Sequence, residues 1–266
     1  MSGFSAGSLV RLAALTLGTA MLAPLQMATL RIAPRHGKAI PRLFHRLACR
    51  TLGVRRTVRG RPPPGPGGLV LANHVSWLDI PVIGAELPGS FVAKSEVAGW
   101  PLVGWLASLQ HTVYIDRQRR GATAGVASEM AERIAAGETV VLFAEGTTGD
   151  GTRILPLRSS LLAAAKRARG ADDGDSVTVY PLTITYTGFH GLAGGRHERS
   201  LLAWYGDTEL APHLKALLAA GPIDVELAWG DPIVMDETTS RKEAARRAEA
   251  TIRAARRSAI TARPAG

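Results

Sequence analysis

A chain of 266 residues, 46% of them hydrophobic, suits one α/β domain with attachments and can fill a sizeable core. Its single cysteine, Cys49, excludes a disulfide framework and a zinc site built from several thiolates, and points to a reducing compartment. The formal charge of +10 sits in residues 1–61, with eleven Lys or Arg and no Asp or Glu; the other 205 carry 21 basic and 22 acidic side chains, a net of −1, which excludes the basic surface of a nucleic-acid-binding body.

Residues 1–61 read as a membrane-associating arm. Leu12 to Leu30 is 19 residues without a charge, bracketed by Arg11 and Arg31. About 20 apolar residues are needed to cross a bilayer as a helix. Gly18, Pro24 and Gln26 interrupt the run, so a kinked or interfacial helix is the alternative to a spanning one. Six basic residues follow: Arg31, Arg35, Lys38, Arg42, Arg46 and Arg50. By the positive-inside rule they place the body on the cytoplasmic face of the cell membrane. A signal peptide or an Arg-rich transit peptide is the competing reading, but no clear Ala-x-Ala cleavage site follows. Gly3-Phe4-Ser5-Ala6-Gly7 matches Gly-x-Ser-x-Gly without the preceding strand that a nucleophile elbow needs.

From Ile40 to Leu52 the residues Leu43, Phe44, Leu47, Ala48 and Leu52 share one helical face, with Arg42, Arg46 and Arg50 elsewhere. The pattern predicts a basic amphipathic helix over 40–52, lying among the headgroups of an anionic membrane or docked on the domain. Residues 62–68, Pro and Gly throughout, mark a linker.

Residues 69–240 are expected to form the folded domain. Leu69 to Ala72 reads as a buried strand, with Ser76 placed to cap a helix beginning at Trp77. Further strands are expected at Phe91–Ala93, Thr112–Ile115, Thr139–Phe143, Val177–Thr185 and Ile223–Trp229. Helices are expected at Ala122–Ala136 and Ser159–Arg169, and a glycine-rich hairpin near Gly188–Gly195. Val97 to Leu106, with Trp100 and Trp105, is too short to span and reads as core or as a lipid-facing lip. Residues 241–266 form a basic helix and tail, most simply a solvated face. The alternation of strands and helices implies an α/β domain whose mostly parallel or mixed sheet is flanked by helices and preceded by an N-terminal membrane helix.

In such a sheet, functional groups gather at strand ends, and four segments qualify. Asn73 and His74 follow the first strand, with Asp79 five positions beyond His74. Asp116 and Arg117 end another strand. Phe143-Ala144-Glu145-Gly146-Thr147-Thr148 leads a third into a glycine-rich loop, and Val179-Tyr180-Pro181 carries a proline. An aspartate on one imidazole nitrogen leaves the other free to take a hydroxyl proton. A turn histidine merely satisfied by a nearby carboxylate is the plainer alternative. His74 and Asp79 as metal ligands would lack a third ligand nearby in sequence, so no metal is expected.

These blocks, in this order, resemble the lysophospholipid acyltransferase family, which includes the 1-acylglycerol-3-phosphate acyltransferases. Asn73, His74 and Asp79 match its Asn-His-x4-Asp block. Ile115, Asp116 and Arg117 match its second block, Phe143, Glu145, Gly146 and Thr147 its Phe-Pro-Glu-Gly-Thr-Arg block, and Pro181 its fourth. Phe91 to Glu96 is similar to its lysine-bearing segment. The resemblance runs from Leu69 to Pro181 and implies a glycerolipid-acyltransferase-type domain.

What the resemblance implies is transfer of a fatty acyl group from a thioester to the free hydroxyl of a lysolipid. His74 would be the base and Asp79 its orienting partner. Lys94, Arg117, Glu145, Gly146, Thr147 and Arg153 would contact substrate. The partners would be a lysolipid, an acyl-CoA or acyl carrier protein as co-substrate, and an anionic membrane surface, with no bound cofactor. Two positions depart from the pattern. Ala144 stands for the proline, and Thr148 for the arginine that many members use on the acceptor's phosphate. Lysophosphatidate, converted to phosphatidic acid, is the expected acceptor; lyso-ornithine lipid is the alternative that Thr148 raises. A lipid hydrolase and a non-catalytic membrane-binding module are the rivals of other classes.

Overall fold

The computed structural model describes residues 6–63, 67–116, 122–162, 177–236 and 238–262. Two strands form the centre of the sheet, β2 (Gly68–Ala72) and β5 (Thr139–Phe143), and every residue of both is buried. Continuous apolar runs of this kind belong to strands covered on both faces. Around them lie β1 (Val54–Arg59), β3 (Ser90–Lys94), β4 (Val113–Ile115), β6 (Val177–Phe189), β7 (Leu192–Ala193), β8 (Ile223–Trp229) and β9 (Ile233–Met235).

The order across the sheet is β1-β8-β6-β2-β5-β3-β4. From β6 to β4 each neighbour is parallel, with Leu69 opposite Val179 and Val140, and Val92 opposite Val113. β6 is antiparallel to β8 and β9, and turns back on itself through β7. Parallelism from β6 to β4 brings the carboxyl ends of β2, β5, β3 and β4 to one edge, where the ligand crevice of an open α/β sheet lies.

Helices cover both faces. One face holds α2 (Ala39–Thr51), α3 (Asp79–Glu86) and α7 (Leu210–Ala220) over Val70, Val141, Ile184 and Leu227. The other holds α5 (Ala122–Ala135) and α8 (Arg241–Thr261) over Leu69, Leu71, Leu142 and Val179. Two shorter helices, α4 (Val103–Leu109) and α6 (Arg196–Leu202), flank the site edge.

The apolar helix α1 runs over Ala6–Ile32, longer at both ends than the run predicts, and is long and apolar enough to cross a membrane. It touches the body at intervals. Ser8 Oγ donates to the Leu218 carbonyl, and Gln26 Nε2 donates at 2.8 Å to the carbonyls of Gly37 and Leu109. Its outer side leaves Leu17, Met21 and Ile32 largely exposed.

Three expectations are corrected, and one open choice, that of the amphipathic helix, is decided. Val54–Arg59, placed in the arm by composition, is an edge strand paired with β8. Basic edge strands resist further pairing, which accounts for the charges there. The amphipathic helix is docked rather than free: α2 buries His45, Ala48 and Cys49, while Leu43 is exposed. Arg42 and Arg46 donate to the carbonyls of Ala85 and Glu86 at the C-terminal end of α3, where cations are favoured. The tail helix α8 is not a solvated face. It starts at Ser240, whose hydroxyl accepts from Glu243 N, and buries Ala244, Ala248 and Ile252 against the sheet. Ser76 does not cap α3, which starts at Asp79, and the buried Ser76 hydroxyl has no partner among the described residues.

The strands at Phe91, Thr139, Val177 and Ile223 form where periodicity places them, as do α5 and the hairpin. The helix expected over Ser159–Arg169 appears as one turn of 3-10 helix, Ser159–Leu162, and the rest of that segment lies outside the described residues.

Candidate active site

The turn between β2 and α3 is held from every side. Asn73 is fully buried; its amide donates to the Ile184 carbonyl and its side-chain oxygen accepts from Ile184 N, tying the turn to β6. The His74 carbonyl accepts from Gly149 N at 2.8 Å, and the Val75 carbonyl from Trp204 N at 2.9 Å. Each bond removes a backbone freedom, so the side chain of His74 is aimed before any substrate arrives.

Asp79 makes the key contact. Its Oδ2 lies 2.8 Å from His74 Nδ1 and accepts from Val75 N at 2.7 Å and Ser76 N at 3.0 Å. Asp79, the first residue of α3, thus satisfies two amides of the turn that precedes the helix, while the amides of Asp79 and Ile80 go to the carbonyls of Ser76 and Trp77. Since an ionised carboxylate only accepts, Nδ1 carries the hydrogen and Nε2 presents a lone pair. Among the described residues Nε2 has no partner, and the ring is partly open to solvent beside a fully buried Asp79. Phe143, the last residue of β5, stacks on the imidazole with centroids 3.8 Å apart and planes 12° from parallel.

The loop after β5 forms the other wall. Glu145 is 3% exposed, and its two oxygens accept from His74 N at 3.3 Å and Leu155 N at 3.2 Å. Burial pushes its carboxyl up to about 8, against the pull of those two amides and with the charge of Asp79 adding to the rise. Gly146 is at φ +77°, a backbone that favours glycine. The Arg158 side chain lies across it: a Cβ on Gly146 would meet Arg158 Nε at 3.1 Å. The loop is pinned from the far side of the sheet, where Arg256 of α8 donates to the Gly151 carbonyl at 2.7 Å.

His74, Asp79, Glu145 and Gly146 lie together at this edge of the sheet. Thr147 and Arg153 are exposed on the same loop. Lys94 is exposed at the end of β3, opposite Ile115 in register. Arg117 lies outside the described residues. The tryptophan segment is split: Trp100 packs edge-on against Trp204, while Leu102 and Trp105 are exposed.

Three residues escaped sequence reasoning. Tyr186 donates its hydroxyl to Asp79 Oδ1 at 2.7 Å from the middle of a buried strand, where a tyrosine reads as ordinary core. Arg158 lies in a stretch without a motif and Arg256 is one of many arginines in α8, so neither stands out in the sequence.

Residues 55–185 match the family model described as Acyltransferase. The chain is 44% identical over 242 residues to the lyso-ornithine lipid O-acyltransferase of Brucella abortus, covering 91% of each. It is 40% identical over 108 residues to a 1-acyl-sn-glycerol-3-phosphate acyltransferase of Neisseria gonorrhoeae, which covers 40% of this chain and 42% of that one. The solved 1-acyl-sn-glycerophosphate acyltransferase of Thermotoga maritima has the same fold, with a TM-score of 0.66 at 21% identity over 96% of this chain and 99% of that one.

Proposed function

The chain belongs to the lysophospholipid acyltransferase family and acylates a lysolipid; from that premise we propose that its acceptor is a lyso-ornithine lipid and that His74 is the base. The observation that carries the acceptor is the match along 91% of both chains with the Brucella abortus enzyme. The Neisseria gonorrhoeae relative, similar over a much shorter stretch, supports lysophosphatidate as the second reading. Thr148 fits the first better. A phosphate monoester calls for cations beside the loop, and Thr148 supplies none where many members have arginine.

The chemistry uses few groups. Nε2 of His74 removes the proton as the acceptor oxygen attacks the thioester carbon. The new C–O bond forms, the C–S bond breaks, and the imidazolium returns the proton to the departing sulfur of CoA or of an acyl carrier protein. Asp79 offsets the transient positive charge and keeps the tautomer. No covalent enzyme intermediate is needed, because the thioester is already activated.

Arg158 is the cation we assign to the acceptor's anionic group. It is exposed, lies over Gly146, and among the described residues its guanidinium has no hydrogen bond or ion pair. Lys94 and Arg153 are further exposed cations for this role, Thr147 offers a hydroxyl, and Arg117, outside the described residues, is a candidate from its motif alone. Arg158→Ala should raise the acceptor's KM by roughly tenfold, the lower end for a charge-assisted bond because the site is open to water. Arg158→Lys should recover part of it. An unchanged KM in steady-state assays would hand the role to Lys94 or Arg117.

For the membrane, we infer that α1 and the α4 lip, with Leu17, Met21, Ile32, Leu102 and Trp105 exposed, meet the lipid. Arg31, Arg35 and Arg50, exposed along the same segment, then keep the domain on the cytoplasmic face, against anionic headgroups.

The test of the acceptor is mass spectrometry of purified protein given a thioester donor and either lyso-ornithine lipid or lysophosphatidate. Acylation of the first is expected to be at least tenfold faster. Robust acylation of lysophosphatidate with none of lyso-ornithine lipid would overturn the choice.

A further inference from the structure

The basicity of His74 depends on how much of the Asp79 charge reaches it, and a second strand touches that charge. Asp79 is fully buried, and its two oxygens are used differently. Oδ2 faces His74 Nδ1 and two backbone amides, whereas Oδ1 accepts from the hydroxyl of Tyr186 at 2.7 Å. Tyr186 is 3% exposed, and its hydroxyl has no other hydrogen bond among the described residues. A phenylalanine would fill the same core, and a buried hydroxyl costs stability unless it is bonded. The strand is also shaped at this point: the β6–β8 register runs Tyr186 to Val225 and then Gly188 to Asp224, a bulge directly after Tyr186. Bulges of this kind re-aim a side chain.

Resting on the reading of His74 as the base, we propose that Tyr186 is a positioning residue for the reaction: by donating to Asp79 Oδ1 it limits the charge available to hold a proton on His74. It thereby sets the pH above which His74 can act. The direction follows from electrostatics. A donor on Oδ1 draws negative charge away from Oδ2 and weakens the hold of Asp79 on an imidazolium. Without that donor Oδ1 is buried and unpartnered, the imidazolium is favoured, and the base is free only at higher pH.

Other titratable groups face this cluster. Glu145, from the β5 loop, accepts from His74 N and acts on Asp79 through space, and Arg253 of α8 acts on Glu145. Cys49, from α2, faces Tyr186. Substitution at Tyr186 leaves all of them in place. Glu145 titrates on the alkaline side, away from the acid limb that reports His74.

The experiment is the pH dependence of kcat/KM for the full chain in lipid vesicles, with lyso-ornithine lipid and lysophosphatidate each as acceptor. Tyr186→Phe should move the acid limb up by about half a unit to one unit, with the plateau lowered by about tenfold or less. Difluorotyrosine placed at Tyr186 keeps the hydroxyl and the fold but donates more strongly, so its limb should move down. In an Asp79→Asn background, Tyr186→Phe should move nothing further. Limbs that stay put in both Tyr186 variants, with the rate lost equally at every pH, would mean that the phenol is structural only. A failure of the base itself reads differently, as a His74→Ala protein with full activity.

Discussion

His74→Ala is expected to lower turnover by about a hundredfold to ten-thousandfold, the usual worth of a general base. The size of the loss follows from how little else can replace the imidazole. Its Nε2 has no partner among the described residues, and the two carboxyl groups beside it, Asp79 and Glu145, are buried with their oxygens already accepting from other donors. The ring touches Phe143 and makes one side-chain hydrogen bond, so its removal leaves a small gap beside an intact turn. Membrane association should survive, because α1 and α2 make no contact through His74. Thioester consumption by purified protein, together with pelleting on anionic vesicles, separates the two properties. An alanine variant with wild-type turnover would sink the mechanism.

Asp79→Asn should cost nearly as much, about a thousandfold to ten-thousandfold in kcat, for a different reason. The amide keeps the size of the carboxylate but brings two hydrogens into a pocket built entirely of donors. Val75 N, Ser76 N, the Tyr186 hydroxyl and His74 Nδ1 all point at oxygens of Asp79. Whichever way the amide turns, its NH2 meets at least one donor. If it faces His74, Nδ1 becomes the acceptor, the hydrogen moves to Nε2, and the base is blocked. The same crowding should lower the melting temperature, since a buried donor left without an acceptor costs about 1–3 kcal/mol. A variant that melts earlier yet turns over at the wild-type rate would show that Asp79 serves only the turn.

The chemistry of this chain was legible in its sequence because it is written in short-range patterns. His74 and Asp79 are five residues apart across a strand-to-helix turn, so their contact needs no distant part of the chain. The buried strands announce themselves as apolar runs, and the order of the blocks, read as a resemblance, implied acyl transfer. Charge counting separated a basic arm from a neutral body for the same reason: composition is local.

What depends on contacts between distant segments was decided by the tertiary structure. Val54–Arg59 reads as a basic arm until β8, about 170 residues later, pairs with it. The arginines of α2 read as membrane contacts until the end of α3 offers them carbonyls. The basic tail helix reads as solvated until Ala244, Ala248 and Ile252 meet the sheet, a stripe narrow enough to hide among arginines. Tyr186 and Arg158 carry no signal at all, because a tyrosine in a buried strand and an arginine in a loop are ordinary until packing puts one on Asp79 and the other over Gly146.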